Sequence, residues 1–234
     1  MYKSYIKILL VIIIMCIGFS CKKKKEAQWK EPTAVVFNMD INRSSCLGGN
    51  LLFNGGNILL DNFSFEGKRD QGGDVYFDKN SGTLYASFDP NATIPEWNFD
   101  IPQGSYSQIK ISYKTAGSPS DKQIVVLGSY TNTVNNNVYP VRFEFQAPQT
   151  FVIFAKTSSG NSQIVLDKNV GSTATIRMDP VYWFQVITTT MMDNASITNL
   201  NGVPTILINK NTNNNINAAM QSRVHDDVTQ VIFN

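Results

Sequence analysis

The chain has 234 residues, 42% of them hydrophobic, with 20 basic and 18 acidic side chains, three cysteines and one histidine. That is ample apolar material for one large core or two small ones without disulfides. The lone His225 excludes a zinc site built from several histidines, and any Ser-His-Asp or Cys-His arrangement would have to use it. The first element is a leader. Lys3 and Lys7 precede ILLVIIIMCIGF (8–19), an apolar run of about 12 residues where a membrane-spanning helix needs roughly 20. Gly18-Phe19-Ser20-Cys21 closes the run, and Lys22–Lys25 follow at once. Removing Lys3, Lys7 and Lys22–Lys25 leaves 14 basic against 18 acidic side chains, so the body from Glu26 onward is acidic. The basic excess belongs to leader and tether and gives no support for nucleic-acid binding.

The end of the leader resembles a bacterial lipobox of the Bacteroidetes type, in which a small residue precedes a cysteine that is acylated and becomes the new N-terminus. The resemblance implies a signal peptide over residues 1–20, lipid attachment at Cys21 and a lipidated basic tether over 21–32. Its position three before the cysteine is Gly18 where leucine is usual, and Phe19 is bulky. Buried acyl carbons contribute about 0.8 kcal/mol each, and lysines at an anionic surface about 1 kcal/mol each. Lys22, Lys23, Lys24 and Lys25 sit where headgroup phosphates would lie; they also suit a merely solvated, extended tether. Acidic residues after the cysteine go with surface export in such lipoproteins. Lysines there imply the periplasmic leaflet of the outer membrane rather than the cell surface.

The body reads as strands and turns. AVVFNMDI (34–41) is β-branched and apolar. LLFNGGNILL (51–60) places Asn54-Gly55-Gly56 between two apolar runs, which predicts a hairpin. DNFSFEG (61–67) alternates, with Phe63 and Phe65 on one face. DVYFD and TLYASF flank Asp78–Gly82, and WNFDI follows. In IPQGSYSQIKISY (101–113) Ile109, Ile111 and Tyr113 share a side. QIVVLGSY (123–130) precedes VYPVRFEF (138–145), the cleanest alternation: Tyr139, Val141, Phe143 and Phe145 inward, Pro140, Arg142 and Glu144 outward. TFVIFAK, QIVLD and TATIRM complete the run, with turn clusters every 8 to 15 residues. That spacing argues for a mainly β chain folded as an antiparallel β-sandwich over 33–234.

The C-terminal part, 179–234, changes character. Asp179 as N-cap and Pro180 in the first turn predict a helix through VYWFQVITTTMM (181–192), where Trp183 would pack. PTILIN (204–209) is a strand. Ile216, Met220 and Val224 recur four apart, one apolar stripe of a helix, and VTQVIF (228–233) closes the chain as a strand. This strand–helix–strand ending is either a small lobe or a cap over one end of the sandwich. Pro102-Gln103-Gly104-Ser105-Tyr106 with Ile109 resembles the Pro-x-Gly-x-Tyr-x-x-Ile edge of prealbumin-like and related immunoglobulin-like sandwich domains of bacterial envelopes. That resemblance implies a scaffold, not a reaction.

The remaining candidates are few. Asp78-x-Asn80-x-Gly82 and Asp167-x-Asn169-x-Gly171 echo the start of a calcium loop but lack its twelfth-position glutamate, and they read better as turns. No metal or cofactor is implied. Glu66, Glu96 and Glu144 are the carboxylates a glycoside hydrolase would draw on, without a spacing that links them. Trp97 is the candidate ligand platform, with Tyr130 and Tyr139 behind it, although aromatics in sandwiches are more often core. With Cys16 in the leader and Cys21 lipidated, Cys46 stands alone as an ordinary thiol. The sequence therefore points to a lipid-anchored, non-catalytic envelope scaffold, assembly or interaction module. Its partners are membrane lipid through Cys21 and an envelope protein or a glycan. A carbohydrate-binding accessory lipoprotein would need an exposed aromatic row with polar neighbours. A fimbrillin-like pilus or adhesin precursor would release its first strand after Arg43.

Overall fold

The computed structural model describes residues 31–118, 121–225 and 229–234. The leader, Cys21 and Lys22–Lys25 lie outside the described residues, as does the side chain of His225. The chain folds as β1 (Pro32–Ile41), β2 (Leu51–Arg69), β3 (Val75–Ser87), β4 (Thr93–Pro102), β5 (Gly104–Thr115), β6 (Ile124–Thr131), β7 (Val138–Phe145), β8 (Thr150–Phe154), β9 (Lys156–Thr157), β10 (Ile164–Leu166) and β11 (Ser172–Met178). Then come helices α1 (Pro180–Phe184) and α2 (Thr189–Asp193), strands β12 (Ile197–Leu200) and β13 (Val203–Ile208), helix α3 (Asn214–His225) and β14 (Gln230–Phe233). It is the mainly β sandwich that the alternation predicts.

Five strands form one sheet in the order β4-β1-β11-β14-β9. The other runs β10-β5-β2-β6-β7-β13-β12, with β3 added on β2 and β8 on β5. Most pairings are antiparallel, as expected, but β1–β11, β7–β13 and β9–β14 are parallel. The two sheets face each other through their alternate apolar residues. Val35, Phe37, Met39 and Ile41 of β1 are buried, as are Ile109, Ile111 and Tyr113 of β5. Phe63 of β2 is the meeting point: its ring lies 4.9 Å from Phe37, 4.7 Å from Trp97 and 5.0 Å from Phe99, all on the opposite sheet.

The hairpin expected at Asn54–Gly56 does not form. β2 runs straight through this stretch for 19 residues. Its first part pairs with β6 as far as Ile58, and from Leu60 it pairs with β5. Leu59 marks the exchange: its N–H donates to Gln123 O at 2.8 Å, and its carbonyl accepts from Ala116 N at 2.9 Å. The glycines serve close approach rather than reversal. Gly56 has φ +141°, and a Cβ there would overlap the carbonyl oxygen of Val125. Asp78–Gly82 is likewise no loop. β3 continues through it with a bulge, where the register steps from Leu60↔Leu84 to Asn62↔Asn80 and Gly82 N donates to Asn80 Oδ1. Asp167–Val170 is a turn in which Asn169 N donates to Asp167 Oδ1.

The helix expected over 181–192 is two short helices. Asp179 caps α1 by accepting from Tyr182 N, as predicted, but Thr188 caps a second helix by accepting from Met191 N. The β-branched run Ile187–Thr190 disfavours continuation, and its hydroxyl supplies a fresh cap. The stripe of α3 is as expected, with Ile216, Met220 and Val224 fully buried. β13 belongs to the nine-stranded sheet and β14 lies inside the five-stranded one, between β11 and β9. The C-terminal part is thus woven into both sheets.

Phe63→Ala removes the ring that touches both sheets and is expected to lower stability by about 3–5 kcal/mol. Gly56→Ala is expected to cost about 1–3 kcal/mol by overpacking. Urea denaturation followed by circular dichroism checks both.

Candidate functional site

The outer face of the nine-stranded sheet carries a region that no other element covers among the described residues. Side chains alternate across a pleated sheet, so the positions between the buried ones all point to this face. Glu66 of β2 is paired in register with Tyr76 of β3 on one side and Lys110 of β5 on the other, and Lys110 is paired with Phe154 of β8. One row therefore crosses four strands as Tyr76, Glu66, Lys110, Phe154. The next row is Asp78, Ser64, Ser112, Val152. Tyr76 is 64% exposed and Phe154 is 54% exposed. Between them Glu66 and Lys110 form an ion pair at 2.6 Å. The Tyr76 hydroxyl donates to Asp78, which orients the ring, and that bond also raises the phenol's pKa.

Phe154 is shared with a cleft of about 500 Å³ at the border with the five-stranded sheet, where Lys156, Arg177, Gln230 and Ile232 form the far wall. Arg177 donates to Gln230 Oε1 at 2.6 Å. Aromatic edge, ion pair and cleft thus lie side by side.

A second polar cluster lies on β7. Glu144 was expected to point outward, and it does leave the core, yet its side chain is only 3% exposed. Lys122 approaches it at 2.8 Å and Arg142 at 2.6 Å, and Asn209 Nδ2 donates to Oε2 at 3.0 Å. Burial raises the carboxyl pKa, but the hydrogen bonds from Lys122, Arg142 and Asn209 outweigh it and hold the group below its usual value. This cluster ties β7 to β13 and to the approach to β6.

Several expected site residues lie elsewhere. Trp97 is fully buried and packs on Phe63 and Tyr113, so it is core and not a ligand platform. Trp97 lies on the inner face of β4, which is where aromatics in sandwiches more often sit. Tyr130 is also buried; its hydroxyl donates to Asp193 Oδ1 at 2.8 Å and holds α2 against β6. Tyr139 is half-buried. Glu66, Glu96 and Glu144 are not brought together: Glu66 pairs with Lys110, Glu144 with Lys122 and Arg142, and Glu96 is exposed on the other sheet. Among the described residues no group of three or more His, Cys, Asp or Glu side chains could hold a metal ion. No described helix is long and apolar enough to cross a membrane.

The exposed aromatics were missed because they sit out of phase with their strands. In VYF of β3 the core takes Phe77, which stacks on Phe65 at 5.2 Å, and Tyr76 is left outside. In TFVIF of β8, Phe151 and Ile153 face in, and Val152 and Phe154 face out. The unbroken apolar run from Phe151 to Phe154 in that strand was the available signal.

Cys46 is half-buried, and burial first, then the negative Asp179, pushes its thiol up to about 11. At pH 8 iodoacetamide is expected to label Cys46 slowly in the native chain and rapidly in urea, as followed by peptide mass spectrometry. Glu144 stabilises the fold above its unfolded pKa of about 4.3, and that contribution is lost as pH falls through the lower folded value. A pH series of urea midpoints should therefore drop below about pH 4 in the native chain and be flatter there in Glu144→Gln.

Comparison of the chain with protein families, with curated proteins and with solved structures found no match in any of the three.

Proposed function

We propose that this chain is a lipid-anchored, non-catalytic interaction module of the cell envelope, held through acylated Cys21 at the periplasmic leaflet of the outer membrane. The leader, the lipobox-like Gly18–Cys21 and the adjoining lysines support the anchor. The observation that carries the interaction role is the open four-strand face ending in Tyr76 and Phe154. The carboxylates nearby are engaged by Lys110, Lys122 and Arg142 rather than poised as an acid–base pair. Ten residues separate Cys21 from Pro32, so the tether reaches about 35 Å and the sandwich stays near the bilayer.

A second reading, the fimbrillin-like precursor, draws on the stretch after β1. Residues 42–45 are irregular, and Arg43 stands there directly after a strand that lies between β4 and β11. Cleavage at Arg43 followed by loss of β1 would open a long apolar groove. Finding Cys21 and Val35 on one intact chain in assembled material would set that reading aside.

In cells fed radiolabelled palmitate, the native chain is expected to be labelled, and Cys21→Ala is expected to lose both the label and detergent-phase partitioning. Replacing Lys22–Lys25 by glutamine is expected to weaken attachment to anionic vesicles by about 1 kcal/mol per lysine. A mature form that begins elsewhere than Cys21 would overturn the anchor.

A further inference from the structure

The interaction reading leaves the ligand open; resting on that reading, we infer that the row from Tyr76 to Phe154 is a binding site for a neutral, extended oligosaccharide. The two exposed rings stand three inter-strand steps apart, about 14 Å, which suits a chain of sugars rather than a single ring. Aromatic faces take the apolar C–H face of a pyranose, and here they stand at both ends of the row. The middle is polar. Ser64 and Ser112 lie side by side in the adjacent row, and the Glu66–Lys110 pair offers both acceptors and donors to hydroxyl groups.

Charge decides between ligand classes. Asp61, Glu66 and Asp78 on this part of the sheet are balanced by Lys68, Lys110 and Lys114, so the row itself carries no net charge; the positive Lys156 and Arg177 stand in the cleft beyond Phe154, and an anionic probe tests whether they reach the ligand. A protein partner is disfavoured for a different reason. Protein interfaces place apolar residues at the centre and charges at the rim, and this face has the reverse arrangement.

The test uses the full chain in a zwitterionic, sugar-free detergent. Isothermal titration calorimetry is run with cellotetraose, maltotetraose and mannotetraose, with glucose as the short probe and tetragalacturonate as the anionic one. At least one neutral tetrasaccharide is expected to bind more tightly than glucose and tetragalacturonate. Tyr76→Ala and Phe154→Ala are each expected to weaken that binding about tenfold, with Tyr76→Phe and Phe154→Tyr close to the native chain. Val203→Ser, at the start of distant β13, is expected to change nothing. Both aromatic positions are exposed, so unchanged melting temperatures confirm that the variants remain folded. The inference is overturned if none of the neutral probes binds, if tetragalacturonate binds best, or if the double variant Tyr76→Ala/Phe154→Ala binds like the native chain. Palmitate labelling of the same material reports on the anchor separately. Labelled protein that ignores the neutral probes removes the glycan site alone; unlabelled protein that binds them removes the anchor alone.

Discussion

The sandwich is held by one contact across its middle: the ring of Phe63, from the nine-stranded sheet, set among Phe37, Trp97 and Phe99 of the five-stranded sheet. Edge-on, tilted and stacked ring pairs add to the gain from burial, and they also fix the separation and angle of the layers. The neighbours follow from it. Phe77 stacks on Phe65, Tyr113 lies beside Trp97, and Phe151 stacks on Tyr113. This inner aromatic layer absorbs the inward positions of β2, β3, β4, β5 and β8. What those strands present outward is then free to serve another purpose.

That division explains why the proposed binding face is polar at its centre. Its middle lies on β2 and β5, whose inner side chains Phe63, Phe65, Ile109, Ile111 and Tyr113 are buried, so that part of its geometry is set before any ligand arrives, which lowers the entropy lost on binding. The Glu66–Lys110 pair is only partly exposed and lies between two ordered strands. The bulges at Asn80–Gly82 and near Leu60 keep the surface from running on as a regular ribbon.

Much of the fold was legible from period alone. The alternation of β7 and the four-residue spacing of Ile216, Met220 and Val224 both carried directly into the structure. The failures share a cause. Asn54-Gly55-Gly56 has the chemistry of a turn, but Gly56 is there to let β6 come close, and a local signal cannot distinguish reversal from close approach. The long run 181–192 looked like one helix because apolar content hides a cap in its middle. The site was less legible still. Trp97 and Tyr76 are both aromatic residues on predicted strands, and which of them is inside depends on register against distant strands. The buried Glu144 depends on Asn209, 65 positions away.

Among the described residues β14 comes latest in the chain, and it lies in the interior of its sheet, between β11 and β9. Val231 and Phe233 supply part of the core. A polypeptide that emerges from its amino end can therefore assemble the larger sheet early, while the smaller one waits for its final four-residue wedge. Until that wedge arrives, the flanking strands have open ladders and an unfilled interior, a state vulnerable to aggregation. The closing step joins residues far apart in the chain, which makes it slow. β14 thus acts as the latch on a structure begun with β1, some two hundred residues earlier.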